Sequence, residues 1–238
     1  MGARKSPDAK RREGYGKGSG KDYKAYETAR EHTGSYSTRS IEQDWITGRS
    51  VNLLSQAERK VWLYLRFNPN VVDIREQKNL DKSITDKIRS ENGWPVSSTA
   101  YDMSTDFLVT YRSGKTIAIS VKTNKKDIEN NLKTLRSLFV EKQYWTEYVG
   151  VQWTIVYADE LNSKVADNIY LVTRYYDAEN VFDKVSAMKH LIATHQFELT
   201  KEEMADVIDY RKLAELNLSE KAYNDIRKLR AKKRKLLQ

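Results

Sequence analysis

The chain has 238 residues, with 42 Lys and Arg against 33 Asp and Glu, so its formal net charge is +9. With 39% hydrophobic residues it can build one or two domains, and global disorder is excluded. It has no Cys and three His, which excludes disulfides and thiolate zinc sites and leaves little room for a histidine metal cage. No run approaches the roughly 18 apolar residues of a membrane span. We therefore expect a cytoplasmic protein without a membrane partner.

The positive charge is concentrated at the two ends of the sequence. Residues 1–24 are rich in Lys, Arg and Gly, and we predict that they form a flexible basic arm. The segment from Arg227 to Lys235 holds seven cations and no acid. Such runs are often only solvated tails, but they also suit contact with nucleic acid, and both interpretations stay open.

The first half of the chain predicts one helix followed by three strands. Ser55 and Glu58 have the spacing of a capping box, which predicts a helix over residues 56–67. The β-branched, alternating residues 71–77 predict a strand, and a polar insertion follows to about Asp102. Residues 105–111 and 115–122 alternate around Arg112-Ser113-Gly114, which predicts a β-hairpin.

The second half predicts a crossover helix, a fourth strand and a helical domain. Ile128, Leu132, Leu135 and Phe139 recur at helical spacing, and residues 151–157 predict a strand. A strand, a helix and a second strand imply a right-handed crossover and a parallel pair, so the order αβββαβ predicts a mixed sheet covered by helices. We expect a first domain over residues 25–160 and a small, mainly helical domain over residues 161–238, including a helix near residues 164–176.

The length of the hairpin turn decides where Asp106 points. A two-residue turn places Asp106 opposite Val121, whereas a three-residue turn with a left-handed Gly114 places it opposite Ser120, with Lys122 diagonal to it. Glycine at the third position favours the longer turn. We therefore expect Asp106 and Lys122 on one small, polar face of the sheet.

Glu58 is the third candidate, because its helix must turn the side that carries Val61, Trp62 and Leu65 towards the sheet. Two carboxylates beside a lysine suit Mg²⁺ or Mn²⁺ and the orientation of a water nucleophile, which is the chemistry of phosphodiester hydrolysis. Other interpretations stay open. Glu58 is equally explained as a helix cap, Asp106 as a strand cap or ion-pair partner, and Lys122 as a surface charge.

Several segments make a family resemblance specific. They are Gly20-Lys21-Asp22-Tyr23, Leu53-Leu54-Ser55 with Glu58, Val72-Asp73-Ile74-Arg75-Glu76-Gln77, Met103-Ser104-Thr105-Asp106-Phe107-Leu108-Val109, Val121-Lys122 and Tyr144-Trp145. In this order, from about Gly14 to Asn168, they resemble the TnsA family, the endonuclease subunits of heteromeric cut-and-paste transposases. The resemblance implies an α/β, restriction-endonuclease-like (PD-(D/E)xK) catalytic domain over residues 25–160 and a winged-helix-like C-terminal domain over residues 161–238.

The same resemblance implies a function and its partners. It implies a Mg²⁺-dependent endonuclease, bacterial and DNA-associated, that cleaves the 5′ (non-transferred) strands at transposon ends. The expected partners are double-stranded DNA at those ends, a DDE-type transposase subunit and an AAA+ regulator ATPase. A stand-alone restriction-like or junction-resolving nuclease, and a catalytically decayed DNA-binding subunit, stay open as alternatives.

By motif position, the catalytic residues of the family fall on Glu58, Asp106 and Lys122. The expected metal ligands are Asp106, the backbone carbonyl of Val121, and Glu58. Ser120 is a doubtful ligand, because the family typically has Gln two residues before the lysine and serine is shorter. Weaker candidates for contacts behind the metal ligands or with DNA are Glu76, Gln77, Arg75 and Lys126. We expect Tyr144 and Trp145 to be core or interface aromatics.

Overall fold

The computed structural model describes residues 4–31, 38–68, 70–129 and 131–173. The chain divides into two compact units, one made of residues 1–44 and 49–161 and the other of residues 45–48 and 162–238. Of the second unit's C-terminal part, only residues 162–173 are described, and they contain helix α6 (Ser163–Thr173). The predicted winged-helix-like domain and the basic tail therefore lie almost wholly outside the described residues.

The central sheet of the first unit has four strands in the order β3-β4-β5-β6. They are β3 (Val71–Asn79), β4 (Ser104–Tyr111), β5 (Thr116–Lys122) and β6 (Gln152–Tyr157). β3, β4 and β5 pair in antiparallel fashion, and β5 pairs with β6 in parallel. The predicted mixed sheet with its parallel crossover pair is confirmed.

The predicted three-residue turn between β4 and β5 is also confirmed. Phe107 pairs with Ile119, and Thr110 pairs with Thr116. Gly114 takes the left-handed conformation with φ 84°. Continued by one residue, this register sets Asp106 opposite Ser120, as the glycine in the turn predicted.

Helix α2 spans Gln56–Phe67, the range that the capping box predicted. Its N-cap Ser55 accepts a hydrogen bond from the backbone N–H of Glu58 over 3.1 Å. Buried Val61 and Trp62 lie on this helix, which contacts β3 and β5 of the sheet. A separate two-stranded sheet, which the sequence did not predict, precedes it and pairs β1 (Ser40–Gln43) with β2 (Ser50–Leu53).

Two segments differ from the sequence prediction. The polar insertion contains helix α3 (Lys82–Glu91), capped by Asp81. The crossover is not one helix but α4 (Lys126–Glu129), α5 (Leu132–Gln143) and a π-helical turn (Tyr144–Val149) that ends at Gly150. Asn131 separates α4 from α5 because its side chain accepts the N–H of Thr134 and begins a new helix.

Of the apolar stripe that predicted the crossover helix, only Ile128 on α4 is buried. Leu132 on α5 is 70% exposed, and Leu135 and Phe139 are also exposed. The buried residues of α5 are Leu138, Val140 and Glu141. Trp145 in the π-helical turn is 3% exposed and packs in a cluster with Leu80, Leu108 and Ala118, so its predicted place in the core is confirmed.

The described part of the basic arm belongs to the first unit and is hydrogen-bonded to other parts of it. Helix α1 (Pro7–Arg12) places Lys10 at 0% exposure, and the Lys10 ammonium donates to the carbonyl of Tyr26 over 2.5 Å. Residues 16–26 then hydrogen-bond to β3, where Tyr26 N–H donates to the carbonyl of Gln77 over 3.2 Å and the Lys78 ammonium donates to the carbonyl of Gly16 over 2.5 Å. No described helix is long and apolar enough to cross a membrane.

Candidate active site

Asp106 and Lys122 lie where β4 and β5 separate. The ladder between these strands stops at Phe107 and Ile119, and the carboxylate of Asp106 accepts the backbone N–H of Val121 over 2.6 Å. Lys122, half-buried, donates from its ammonium to the carbonyl of Val121 over 3.0 Å. The positive charge of Lys122 stabilises ionised Asp106. The structure thus brings these two predicted residues together around Val121.

Glu58 both caps helix α2 and faces the interior of the protein. Its carboxylate accepts from the backbone N–H of Leu54 over 2.9 Å and from the Ser55 hydroxyl over 2.9 Å, which caps helix α2. The same carboxylate accepts from the side-chain amide of Gln77 over 3.0 Å. Glu58 is 7% exposed, so the oxygen that accepts from Gln77 faces the protein interior, near the end of β3.

Glu58 and Asp106 interact electrostatically. Burial raises the pKa of Glu58, and the negative charge of Asp106 raises it further, against the lowering effect of the hydrogen bonds from Leu54, Ser55 and Gln77. Burial likewise raises the pKa of Asp106, while Lys122, the Val121 amide and Gln77 lower it. Two carboxylates that resist ionising together form a place where a cation is electrostatically favoured.

A cavity of about 470 Å³ opens beside Asp106 and extends along α5. Its wall includes Asp106, Ser120, Lys122, Glu141 and Lys133. Glu58 does not contribute to this wall. The cavity therefore opens onto the Asp106 and Lys122 side of the site.

Glu141 is a site residue that the sequence did not predict. It is buried on α5, and its carboxylate accepts from the hydroxyl of Ser120 over 2.7 Å. Its other oxygen, Oε1, has no hydrogen bond of normal geometry among the described residues, although the side chains of Thr105 and Trp153 interact with the carboxyl group and lower its pKa. Burial raises the pKa of Glu141 to about 7, with a smaller contribution from Asp106.

Comparisons with known proteins point to one family. Residues 68–158, which contain β3 to β6, match the TnsA-like endonuclease N-terminal family. The chain is 31% identical over 187 residues to the transposon Tn7 transposition protein TnsA of Escherichia coli, covering 76% of this chain and 68% of that protein.

The chain belongs to the TnsA family. This membership supports a nuclease subunit of a transposase. The family resemblance seen in the sequence is thereby confirmed. The matched residues 68–158 include Asp106, Ser120, Lys122 and Glu141. Glu58 precedes this range and is joined to it by the hydrogen bond from Gln77.

The donors at this TnsA-family site fit a hard divalent cation. Carboxylates and a backbone carbonyl are the ligands that Mg²⁺ and Mn²⁺ prefer. Oε1 of Glu141, a buried carboxylate oxygen of a residue on the cavity wall, makes no hydrogen bond of normal geometry. Within residues 4–31, 38–68, 70–129 and 131–173, no three His, Asp or Glu side chains group closely enough to hold a metal. A bound cation would therefore take much of its coordination from the carbonyl of Val121 and from water.

The remaining predicted residues separate into distinct roles. Ser120 is 2% exposed and directs its hydroxyl to Glu141. Glu76 is fully buried, and its carboxylate accepts from Arg49 over 2.6 and 2.8 Å, a position that suits a contact behind the metal ligands better than one with DNA. Arg75 is half-buried, bonded to Thr110 and paired with Asp73.

Lys126 is exposed at the start of α4, after the end of β5. This position is compatible with the predicted DNA contact, which stays a prediction. Tyr144 is half-buried, and its hydroxyl accepts the N–H of Asp81 over 3.2 Å. That bond joins the π-helical turn to the start of α3.

Proposed function

We propose that this chain is a Mg²⁺- or Mn²⁺-dependent DNA endonuclease that cleaves the 5′ (non-transferred) strands at the ends of a transposon. The observation that carries the proposal is that Asp106 and Lys122 both bond to the backbone of Val121 where two strands diverge, and that both lie on the wall of a cavity. Membership of the TnsA family supports the nuclease class. The cleaved strand and the cation are parts of the proposal.

The proposed mechanism assigns a role to each residue. Asp106 and the carbonyl of Val121 would hold the cation, and Glu58 would hold a second ion or its water shell. The bound cation would stabilise the negative charge that develops on the scissile phosphate. The Lys122 ammonium lies 3.0 Å from the carbonyl oxygen of Val121. Because this carbonyl is a proposed cation ligand, the ammonium is close enough to orient the attacking water and to offset charge at the phosphate.

The proposal includes partners. The substrate is double-stranded DNA at transposon ends, and the expected companions are a DDE-type transposase, which processes the 3′ ends, and an AAA+ regulator ATPase. We expect the chain to bind this DNA in the bacterial cytoplasm. Lys133 adds positive charge to the cavity wall that holds Asp106, and exposed Lys126 follows the end of β5, which suits a phosphate backbone.

Strand-resolved cleavage of labelled transposon-end DNA tests the proposal. The reaction contains Mg²⁺, the companion transposase and the regulator, and it compares wild type with Asp106→Ala. The matched control is Asp8→Ala, whose carboxylate is 83% exposed on α1. We expect only Asp106→Ala to lose the 5′ cuts while it still binds DNA.

Other results would decide against the proposal. Unchanged 5′ cuts in Asp106→Ala would show that Asp106 is structural. Cleavage of defined DNA without any partner would favour a stand-alone nuclease. Full transposition by Asp106→Ala and Lys122→Ala would favour a DNA-binding subunit without catalysis.

A further inference from the structure

Gln77 has an unusual backbone for its residue type. Among the described residues it is the only non-glycine residue with a positive φ, at 48°. A side chain disfavours this left-handed conformation, and such residues are concentrated at functional sites. β3 continues to Asn79 beyond Gln77, so no turn of the chain requires the conformation.

Two consecutive side chains of β3 are buried at this point. In a regular strand, neighbouring side chains point to opposite faces. Glu76 is 0% exposed and Gln77 is 2% exposed. The register of β3 and β4 pairs Glu76 with Phe107 and Lys78 with Thr105, which sets Gln77 level with Asp106. The irregular residue therefore lies at the level of the proposed cation ligand.

The side-chain amide of Gln77 is bonded at both ends. Its nitrogen donates to Glu58 over 3.0 Å, and its oxygen accepts from the Ser104 hydroxyl over 3.0 Å. A carboxylate accepts and a hydroxyl can donate, so these partners fix the orientation of the amide. Hydrogen bonding from Gln77 also favours the ionised form of Asp106. One amide thus connects the two carboxylates, which come from α2 and β4.

The surrounding chain holds the left-handed residue in place. The Tyr23 hydroxyl donates to the carbonyl of Glu76 over 2.9 Å, and the N–H of Tyr26 donates to the carbonyl of Gln77 over 3.2 Å. The pair between Arg49 and Glu76 fixes the preceding side chain. Bonds on both sides of Gln77 therefore maintain a conformation that its own side chain disfavours.

From these contacts we infer that Gln77 is a positioning residue, which holds the Glu58 carboxylate towards Asp106 so that both can act on one cation site. The inference rests on the proposed function. A purely structural role makes a different prediction, because glycine adopts positive φ without a steric penalty. If only the backbone mattered, glycine would serve at position 77 at least as well as glutamine.

Two variants separate these roles. Gln77→Gly accommodates the backbone but removes the amide. Gln77→Asn keeps an amide and tolerates the left-handed region, but it is one methylene too short to keep the bond to Glu58. Ser104→Ala is the graded control, because it removes the bond to the amide oxygen and leaves the bond to Glu58.

The measurements use the full chain. Mn²⁺ affinity is measured by calorimetry without DNA, the melting temperature is measured in EDTA, and 5′-strand cleavage is measured with partners and Mg²⁺. We expect Gln77→Gly and Gln77→Asn to lose about 10- to 100-fold in Mn²⁺ affinity. Their kcat should fall while the KM for DNA stays constant, and the melting temperature of Gln77→Gly should stay within a few degrees of wild type. Ser104→Ala should lose less affinity than either.

Each contrary result has a separate meaning. If wild type binds Mn²⁺ and Gln77→Gly binds it within twofold, Gln77 serves only the backbone and the inference is refuted. If wild type binds no Mn²⁺ and shows no metal-dependent cleavage, the proposed function is refuted and the inference with it. If Gln77→Gly loses its melting transition while Gln77→Asn keeps both its fold and its Mn²⁺ affinity, the positioning role is refuted as well.

Discussion

Glu141 gives the sharpest test of the electrostatics of this site in the metal-free protein. Its pKa is raised from the ordinary 4.5 to about 7, first by burial and then by the nearby Asp106. A folded state with a raised carboxyl pKa binds its proton more tightly than the unfolded state does. The stability from Glu141 is therefore fully present below pH 4.5 and is lost as the pH rises through 7.

The size of the effect follows from these two pKa values. Each pKa unit corresponds to about 1.4 kcal/mol, so ionising Glu141 at pH 8 costs about 3 kcal/mol of folding free energy. At pH 5 the same linkage costs less than about 1 kcal/mol. Glu141→Gln removes the charge and keeps an oxygen that can accept from Ser120. We expect it to stabilise the metal-free protein by about 2–3 kcal/mol more at pH 8 than at pH 5.

Urea unfolding in EDTA at pH 5 and pH 8 measures this difference. The matched control is Glu129→Gln, an exposed glutamate at the end of α4, which should change the unfolding free energy by about 0.5 kcal/mol or less at both pH values. A Glu141→Gln variant whose effect is the same at pH 5 and pH 8 would refute the reasoning. Glu141 would then be ionised in the folded protein throughout this range.

Two further predictions concern stability and are checked by the same urea titrations. Gly14→Ala and Gly16→Ala both force alanine into φ above 70°, but a Cβ on Gly16 would lie 2.0 Å from Asn79 Oδ1, whereas one on Gly14 meets nothing within 4 Å. We expect a loss of about 1 kcal/mol for Gly14→Ala and at least about 1 kcal/mol more for Gly16→Ala; equal losses would mean that Asn79 moves away freely. Arg66 and Asp44 form a buried pair at 2.5 and 2.7 Å, so Arg66→Met should cost about 3–5 kcal/mol by removing the guanidinium that binds the buried Asp44 carboxylate. The double variant with Asp44→Leu should recover part of that loss, and no recovery would contradict this explanation.

The parts of the fold that could be predicted from sequence depend on local chemistry. Ser55 and Glu58 predicted the start of α2 because a capping box lies within four residues. Gly114 predicted the three-residue turn, and the turn fixes the position of Asp106 relative to Ser120. Helix α3 was missed because Ile84 and Ile88 are its only strongly apolar residues, which leaves its helical pattern weak beside that of α2.

The missed parts of the candidate site depend on contacts between distant residues. Glu141 reaches Ser120 across 21 positions of sequence, and a glutamate in a predicted helix is normally read as an exposed residue. The left-handed backbone of Gln77 also has no local signal, because residues 71–77 have the composition of a strand and contain no glycine. Leu132 shows the reverse error. It belongs to a regular apolar pattern, and yet its side chain is exposed.

The attachment of the N-terminal segment to β3 has a practical consequence for handling the protein. β3 is a terminal strand of its sheet, and residues 16–26 hydrogen-bond to it. Unpaired edges of this kind recruit strands from other molecules. A shortened chain that begins at residue 27 would therefore leave the edge of β3 unpaired and self-associate. The composition of the missing segment, rich in Lys, Arg and Gly, gives no sign of this role.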